Sequence, residues 1–410
     1  LSIFLFFGNF DSPHSQSFDL LLKGGHVIDP KNGIDGTMDV AIKDGIITHV
    51  AIDISKQNAK KVINASGFYV TPGLIDIHAH HFYGTQKNRG YSNSFGAIPP
   101  DILSIRSGVT TAVDVGGAGW KNFKLFKEQV IDRSHTRILS FLNIVGEGMS
   151  GLPEQNLNDM DPKMTAKVAS RFPEIVGIKI AHYRGHDWEP YRRAVEAGEQ
   201  AGIPVMVDFG SANPHLPLEE LFFNILRPGD IFTHMYGGEV GGYDGRQSII
   251  DLNGNLRPGM FDAQKRGIIF DVGHGGSSFF YKVAVPVCKQ QFWPNTISTD
   301  IHNSSIRGGR MKDMPDVMSK LLNLDMPLQK VIEASTWKPA QVIQREDLGH
   351  MTEGVEADIV VFKLRSGKFG FIDGGRNLKK GDKKLDVELT IRSGSILWDL
   401  NGIASAQWDQ

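Results

Sequence analysis

The chain has a single cysteine, Cys288, among 410 residues, so no disulfide can form within it and no thiolate-rich zinc site can be built. It has no apolar run of 18 residues, so no membrane-spanning helix is expected. It has almost no net charge. With 44 Lys and Arg against 46 Asp and Glu the balance is −2, which leaves no electrostatic footprint for nucleic acid. No internal repeat and no low-complexity segment is visible. No Gly-rich phosphate fingerprint follows the first buried strand, which argues against an open, doubly wound nucleotide-binding sheet. What is left is an ordinary globular composition, 40% hydrophobic and 22% charged, long enough for one large domain and a smaller one. Cys288 lies in "YKVAVPVCKQQF", a helix-face pattern, and reads as a buried inert thiol. Histidine is the generous supply, with 14 residues.

The first residues, "LSIFLFFGNFDSPHSQS", carry an apolar patch too short to cross a membrane. Residues 1–17 resemble the end of a signal peptide, with Ser15-Gln16-Ser17 as a small-x-small cleavage site. That would send the protein to the periplasm or outside; a truncated start or a disordered apolar tail reads the same way and leaves it cytoplasmic. Next come short alternating segments, "FDLLLKGGHVIDP", "MDVAIKDGIITHV" and "KVINASGFYVTPG", which read as hairpins. "ADIVVFKL" and "LDVELTIRSGSILWD" repeat that pattern near the other end. Residues 18–70 and 350–410 are therefore expected to pair into one small β-sandwich domain.

Between them, over 71–349, buried-type strands alternate with helical stretches. Eight such strands can be read: "LIDIHAH", "TTAVDVG", "ILSFLNIVG", "IVGIKIAHY", "VMVDFG", "DIFTHMY", "IIFDVGH" and "TISTDIH". "WEPYRRAVEAGEQAG" and "LQKVIEASTWKPAQVIQ" have helix periodicity. Eight strand–helix units in this length predict an α/β fold, a (β/α)₈ TIM barrel.

Active sites of such barrels lie at the C-terminal ends of the strands. The last polar residue of each strand is then informative. In "GLIDIHAHHF", residues 73–82, alternation places Leu74, Asp76, His78 and His80 on one face, apolar at its start and polar at its end. Imidazoles packed side by side inside a fold need partners, and a metal ion or a satisfied core would each supply them. His81 points to the other face. Further strands contribute Lys179, Asp208, His234, His274 and Asp300, the last followed by His302. Imidazole and carboxylate suit Zn²⁺ and similar metals. An ammonium cannot ligate a metal, but a buried Lys179 with a lowered pKa is nucleophilic enough to take up CO₂ as a carbamate, an anionic ligand able to bridge two ions. A salt bridge from Lys179 to Asp208 or Asp300 is the alternative. Tyr183 and Arg184 are candidates for holding a substrate carboxylate. Glu147 and His215 are lesser candidates at the same mouth.

These motifs, together with "DLLLKGGHVIDP", "VTPGLIDIHAH", "STDIH" and "GVEADIVVF", resemble the amidohydrolase superfamily in its dihydroorotase- and urease-like branch. "LRPGDIFTHMYGG", "DVGHGGSSF" and "TISTDIH" are similar to its predicted amidohydrolase/deacetylase group. The resemblance implies a hydrolase cleaving an amide, cyclic amide or ester of a small molecule, such as an acylated carboxylic acid. It implies two divalent ions, Zn²⁺ by preference, held by His78, His80, a carboxylated Lys179, His234 and Asp300. Asp300 would be the general acid/base, with His274, His302, Tyr183 and Arg184 contacting substrate. A homo-oligomer is implied too. The fifth strand departs from the pattern: Asp208 stands where a His is expected, which favours a harder metal or leaves one ion. A mononuclear deaminase, and an inactive relative with a binding role, are the competing readings. A cysteine-liganded deacylase is disfavoured because Cys288 falls on a helix.

Overall fold

Alternation in the first strand sorts its side chains onto two faces. Leu20 and Leu22 join Val40, Ile42 and Ile47 in one apolar cluster, while Leu21 packs with Phe18, Ala41 and Ala59 on the other side. A computed structural model describes residues 17–84, 96–149, 152–209, 215–241 and 246–408, so the signal-like tail lies outside the described residues except for Ser17. Five strands come first: β1 (Phe18–Asp29), β2 (Ile34–Lys43), β3 (Ile46–Ala51), β4 (Ala59–Asn64) and β5 (Tyr69–Pro72). Seven follow among helices: β6 (Leu74–Ala79), β7 (Val109–Gly119), β8 (Arg137–Asn143), β9 (Ile175–Ile180), β10 (Val205–Val207), β11 (Ile231–Phe232) and β12 (Ile269–Phe270). The last three are β13 (Ile359–Ile372), β14 (Leu378–Arg392) and β15 (Ser395–Asp399).

The chain ends do pair. They form one eight-stranded hydrogen-bonded sheet in the order β15-β14-β13-β5-β1-β2-β3, with β4 beside β1. The junction is the antiparallel pair of β5 and β13, Ile359 opposite Pro72. Val361, Leu389 and Ile391 from the far end bury into the same cluster as Leu20 and Val40. Arg137, at the start of β8, reaches across to this sheet's margin and binds Glu356 and Asp358.

The strands β6 to β12 form a parallel sheet in sequence order, as the alternating strand–helix pattern predicts. One apolar cluster draws side chains from all seven: Ile75 and Ile77, Val113 and Val115, Leu139 and Phe141, Val176, Met206, Ile231 and Ile269. The eighth expected strand, "TISTDIH", is present as two single parallel bridges, Thr296 to Asp271 and Ile301 to Ala79. The helix Glu189–Ala201 buries Tyr191, Ala194, Val195 and Ala197 and ends at Gly202, whose φ of 70° suits a left-handed cap. "LQKVIEASTWKPAQVIQ" is two helices, Leu328–Glu333 and Trp337–Val342, rather than one. Pro339 has no N–H to bond the carbonyl four residues back and clashes with it, so the first helix cannot run through. Cys288 sits buried in the helix Tyr281–Lys289, its thiol pushed up to about 12 by burial. Among the described residues no helix is long and apolar enough to cross a membrane.

Candidate metal centre

His78 and His80 sit at the end of β6, Lys179 in β9, Asp208 just past β10, His234 two residues past β11, and Asp300 in the segment bridging β12 and β6. All six line one cavity of about 570 Å³, together with Arg184 and His302. Strict alternation does not deliver the two histidines. The pairing of β6 with β7 slips between Leu74 and Ile75 and again between Asp76 and Ala79. Asp76 is spent below the cavity, accepting hydrogen bonds from the Thr299 hydroxyl, the Thr299 N–H and the His78 N–H. Burial pushes its pKa up to about 7, against those hydrogen bonds.

One imidazole nitrogen from each of His78 and His80 and a carboxylate oxygen of Asp300 lie within 4.8 Å of one another. His80 Nε2 is 2.8 Å and His78 Nε2 3.5 Å from Asp300 Oδ1. The tautomer of His78 follows from its neighbours. The Thr233 hydroxyl donates to Asp271 Oδ2 at 2.7 Å, so toward His78 Nδ1, at 2.9 Å, it can only accept. The proton therefore sits on Nδ1 and the Nε2 lone pair faces the cavity. Burial, with Lys179 adding to it, pushes the His78 pKa down to about 3, so the ring is neutral. His234 repeats the arrangement, Nδ1 donating to the Gly273 carbonyl at 2.5 Å.

Lys179 is fully buried and its Nζ has no hydrogen-bond partner among the described residues. Burial pushes its pKa down, with Asp208, Asp300 and Asp271 opposing. A buried amine left without a partner is costly, and a group added to that nitrogen would answer the cost. Asp208 Oδ2 lies 3.4 Å from His234 Nε2 and 3.3 Å from His182 Nε2, and its other oxygen is 3.4 Å from Arg246 Nη1. Burial opposes its ionisation, but His234, Arg246 and His182 hold its pKa well below the usual carboxylate range. Asp300 is held low in the same way, burial being outweighed by His302, His78 and His80. Burial opposes a charge on His302, yet the adjacent Asp300 carries its pKa up. The donor set, three neutral-capable imidazoles, two ionised carboxylates and a partnerless amine, fits divalent metal.

Four sequence expectations fall elsewhere. His274 is fully buried behind the cavity wall, stacked on Phe279 at 4.6 Å, with Nδ1 donating to the Gly275 carbonyl and Nε2 accepting from Lys320 at 2.8 Å. Tyr183 is also turned away, its hydroxyl donating to Asp187. Glu147 pairs with Lys121, and His215 lies 3.1 Å from Glu239. His81 has the packing role expected, with Nδ1 donating to the Ile98 carbonyl. The strand-end reading missed His182, Glu154, Arg246 and Arg310, which line the cavity from loops. His182 stands three residues past Lys179, where its imidazole and the anomalous Asp208 together were the available signal.

Comparison with known proteins supplies the remaining finding. The amidohydrolase family profile matches residues 293–397. A deacetylase of Brucella anthropi is 32% identical over 344 residues, 80% of this chain and 80% of its own. The crystal structure of an adenine deaminase superposes with a TM-score of 0.82 at 28% identity, covering 93% of this chain and all of that one (100%). A dihydroorotase crystal structure follows with a TM-score of 0.77 at 27% identity, covering 93% of this chain and 99% of the other.

Proposed function

Since the chain belongs to the amidohydrolase family, whose members are metal-dependent hydrolases, we propose that it removes an acyl group from a small carboxylate-bearing molecule, as amide or ester, at a centre of two divalent ions. The observation that carries this is the convergence of His78, His80 and Asp300 beside the partnerless amine of Lys179. In this reading residues 296–301 are the eighth strand of a (β/α)₈ barrel, and the joined chain ends are its accessory β-domain. His78, His80 and Asp300 hold the first ion, His234 and Asp208 the second. The buried amine of Lys179, its pKa pushed down and its nitrogen without a hydrogen-bond partner among the described residues, would take up CO₂ with loss of a proton and so supply an anionic oxygen ligand to these ions. When bound, the ions, Zn²⁺ by preference, polarise the scissile carbonyl and acidify water.

The chain's own residues do the rest. Asp300, ionised at neutral pH, accepts the proton from the attacking water and returns it to the departing nitrogen or oxygen. His302, whose Nδ1 donates to the Asp300 carbonyl, holds that residue in place. Arg184, Arg246 and Arg310 line the cavity with Ser277 and Ser278. Guanidinium forks of this kind suit a substrate carboxylate. The similarity to a deacetylase supports acyl removal; the similarity to an adenine deaminase makes deamination the competing outcome.

The test is a screen of N-acetyl amino acids, O-acetyl hydroxy acids and adenine on protein produced with Zn²⁺ and bicarbonate. Acetate release from a carboxylate-bearing substrate is expected. Ammonia from adenine, with no acetate from any ester or amide, overturns the reading.

A further inference from the structure

Arg184, Arg246 and Arg310 line the cavity, and their charges are answered differently. Arg246 is buried, with Nη1 3.4 Å from Asp208 Oδ1, so a carboxylate of the protein already faces it. Arg184 is exposed at the rim, where solvent screens its charge, and its backbone N–H is held by Gln155 Oε1 at 2.9 Å. Arg310 is half-buried and forms no ion pair among the described residues. A cation taken partly out of water calls for an anion.

Arg310 is also fixed at both ends. Its Nη1 donates to the Gly276 carbonyl at 2.9 Å, and its own carbonyl accepts from Lys320 Nζ at 2.5 Å. Lys320 is buried, and the same ammonium donates to His274 Nε2 at 2.8 Å and lies 3.0 Å from Asp316 Oδ2. One cation therefore ties Arg310 to the segment that carries Gly276. That segment is joined in turn to the chain beside Asp300. The His274 N–H donates to the Ser298 carbonyl at 3.2 Å, and the Gly275 N–H to the Thr299 carbonyl at 2.8 Å. A Cβ on Gly275 would stand 2.3 Å from Asp300 Oδ2, so this backbone lies against the carboxylate of the centre. A guanidinium held in this way loses little freedom when it binds an anion.

We infer that Arg310 is the residue that binds the carboxylate of the substrate and sets the preference for an acylated acid over its neutral amide. His274 and Lys320, which face away from the cavity, hold the backbone from which it reaches. The inference rests on the reading above, in which the substrate bears a carboxylate.

The experiment compares acetate release from the acetylated acid turned over fastest in the screen and from its carboxamide. Wild type is expected to prefer the acid by at least about 100-fold in kcat/KM, the worth of two charge-assisted hydrogen bonds. Arg310→Gln is expected to cut that preference by about 10–100-fold, the loss carried by KM rather than kcat. Arg310→Lys, which keeps the charge but not the planar fork, retains part of it. Turnover of the carboxamide by the same preparation shows that the centre is assembled, which separates lost recognition from misfolding. If Arg310→Gln keeps the wild-type preference, or if Arg184→Gln alone abolishes it, the inference is overturned and acyl removal stands. A wild type that releases acetate from neither compound overturns both.

Discussion

Thr233→Val tests how the centre is built from outside its ligands. The two side chains have nearly the same shape, so no cavity opens, and only the hydroxyl is lost. Thr233 is fully buried and links His78 Nδ1, 2.9 Å away, to Asp271 Oδ2, 2.7 Å away. Asp271 keeps its hydrogen bonds from Thr296 and Ser298, both at 2.7 Å, so its loss is modest. His78 has no substitute: Asp271 Oδ2 is 3.8 Å from Nδ1, beyond hydrogen-bond reach. An unsatisfied buried donor costs about 1–3 kcal/mol, which is the expected loss of apoprotein stability in a urea melt. The ring is also freed to change tautomer, and a proton on Nε2 forbids metal. Loss of such an anchor lowers metal affinity by about 10–100-fold, or about 1.4–2.7 kcal/mol. A chelating dye competing for Zn²⁺ measures it. Zn²⁺ affinity within twofold of wild type, in a variant that has lost stability, would refute the claim that Thr233 sets the His78 tautomer.

Other consequences can be checked separately. Asp300→Asn is expected to leave the apoprotein folded and to cut kcat by at least about 100-fold, since the amide cannot relay a proton; wild-type turnover would remove Asp300 from that role. Gly177→Ala would set a methyl 2.5 Å from the Phe141 ring, for an expected destabilisation of about 1–3 kcal/mol. Combining it with Phe141→Leu should recover part of that loss, and an additive double variant would show that the two do not touch. Asp313 caps the helix Met314–Leu322 by accepting from the Asp316 N–H, and burial with the nearby Asp316 charge pushes its pKa up to about 6. A carboxyl raised above its unfolded value binds its proton more tightly when folded, so wild-type stability should fall as pH rises from about 4 to about 6. Relative to Asp313→Asn the loss is about 1–3 kcal/mol, read from urea melts at each pH; parallel curves for the two proteins would contradict it.

Much of the centre was legible because strand ends carry it. His78, His80, Lys179, His234 and Asp300 could be picked out as the polar ends of apolar runs, and the parallel sheet does bring them to one cavity. The same rule misled at His274. Gly273 and Gly275 both take positive φ, 46° and 53°, and the chain between them turns the imidazole back toward Lys320. Tyr183 failed for a similar reason: His182 before it is left-handed, so the loop after β9 turns His182 inward and Tyr183 away. Backbone of that kind leaves no periodic trace in the sequence when the residue is not glycine. Arg246 and Arg310 come from loops well past their strands, where spacing says nothing about direction. The pairing of the chain ends, by contrast, could be read from two sets of alternating segments that had no other partners.

That pairing sets an order of events. β5 finds its neighbour β13 only after about 290 intervening residues have been made, which at ordinary synthesis rates is roughly 15–60 s. Throughout that interval β5 is an open sheet edge, with unpaired backbone groups and Val70 ready to accept a foreign strand. The nascent chain is thus most prone to misassociate while its hydrolytic half is being made, and the later hairpin of β13 and β14 is what seals that edge.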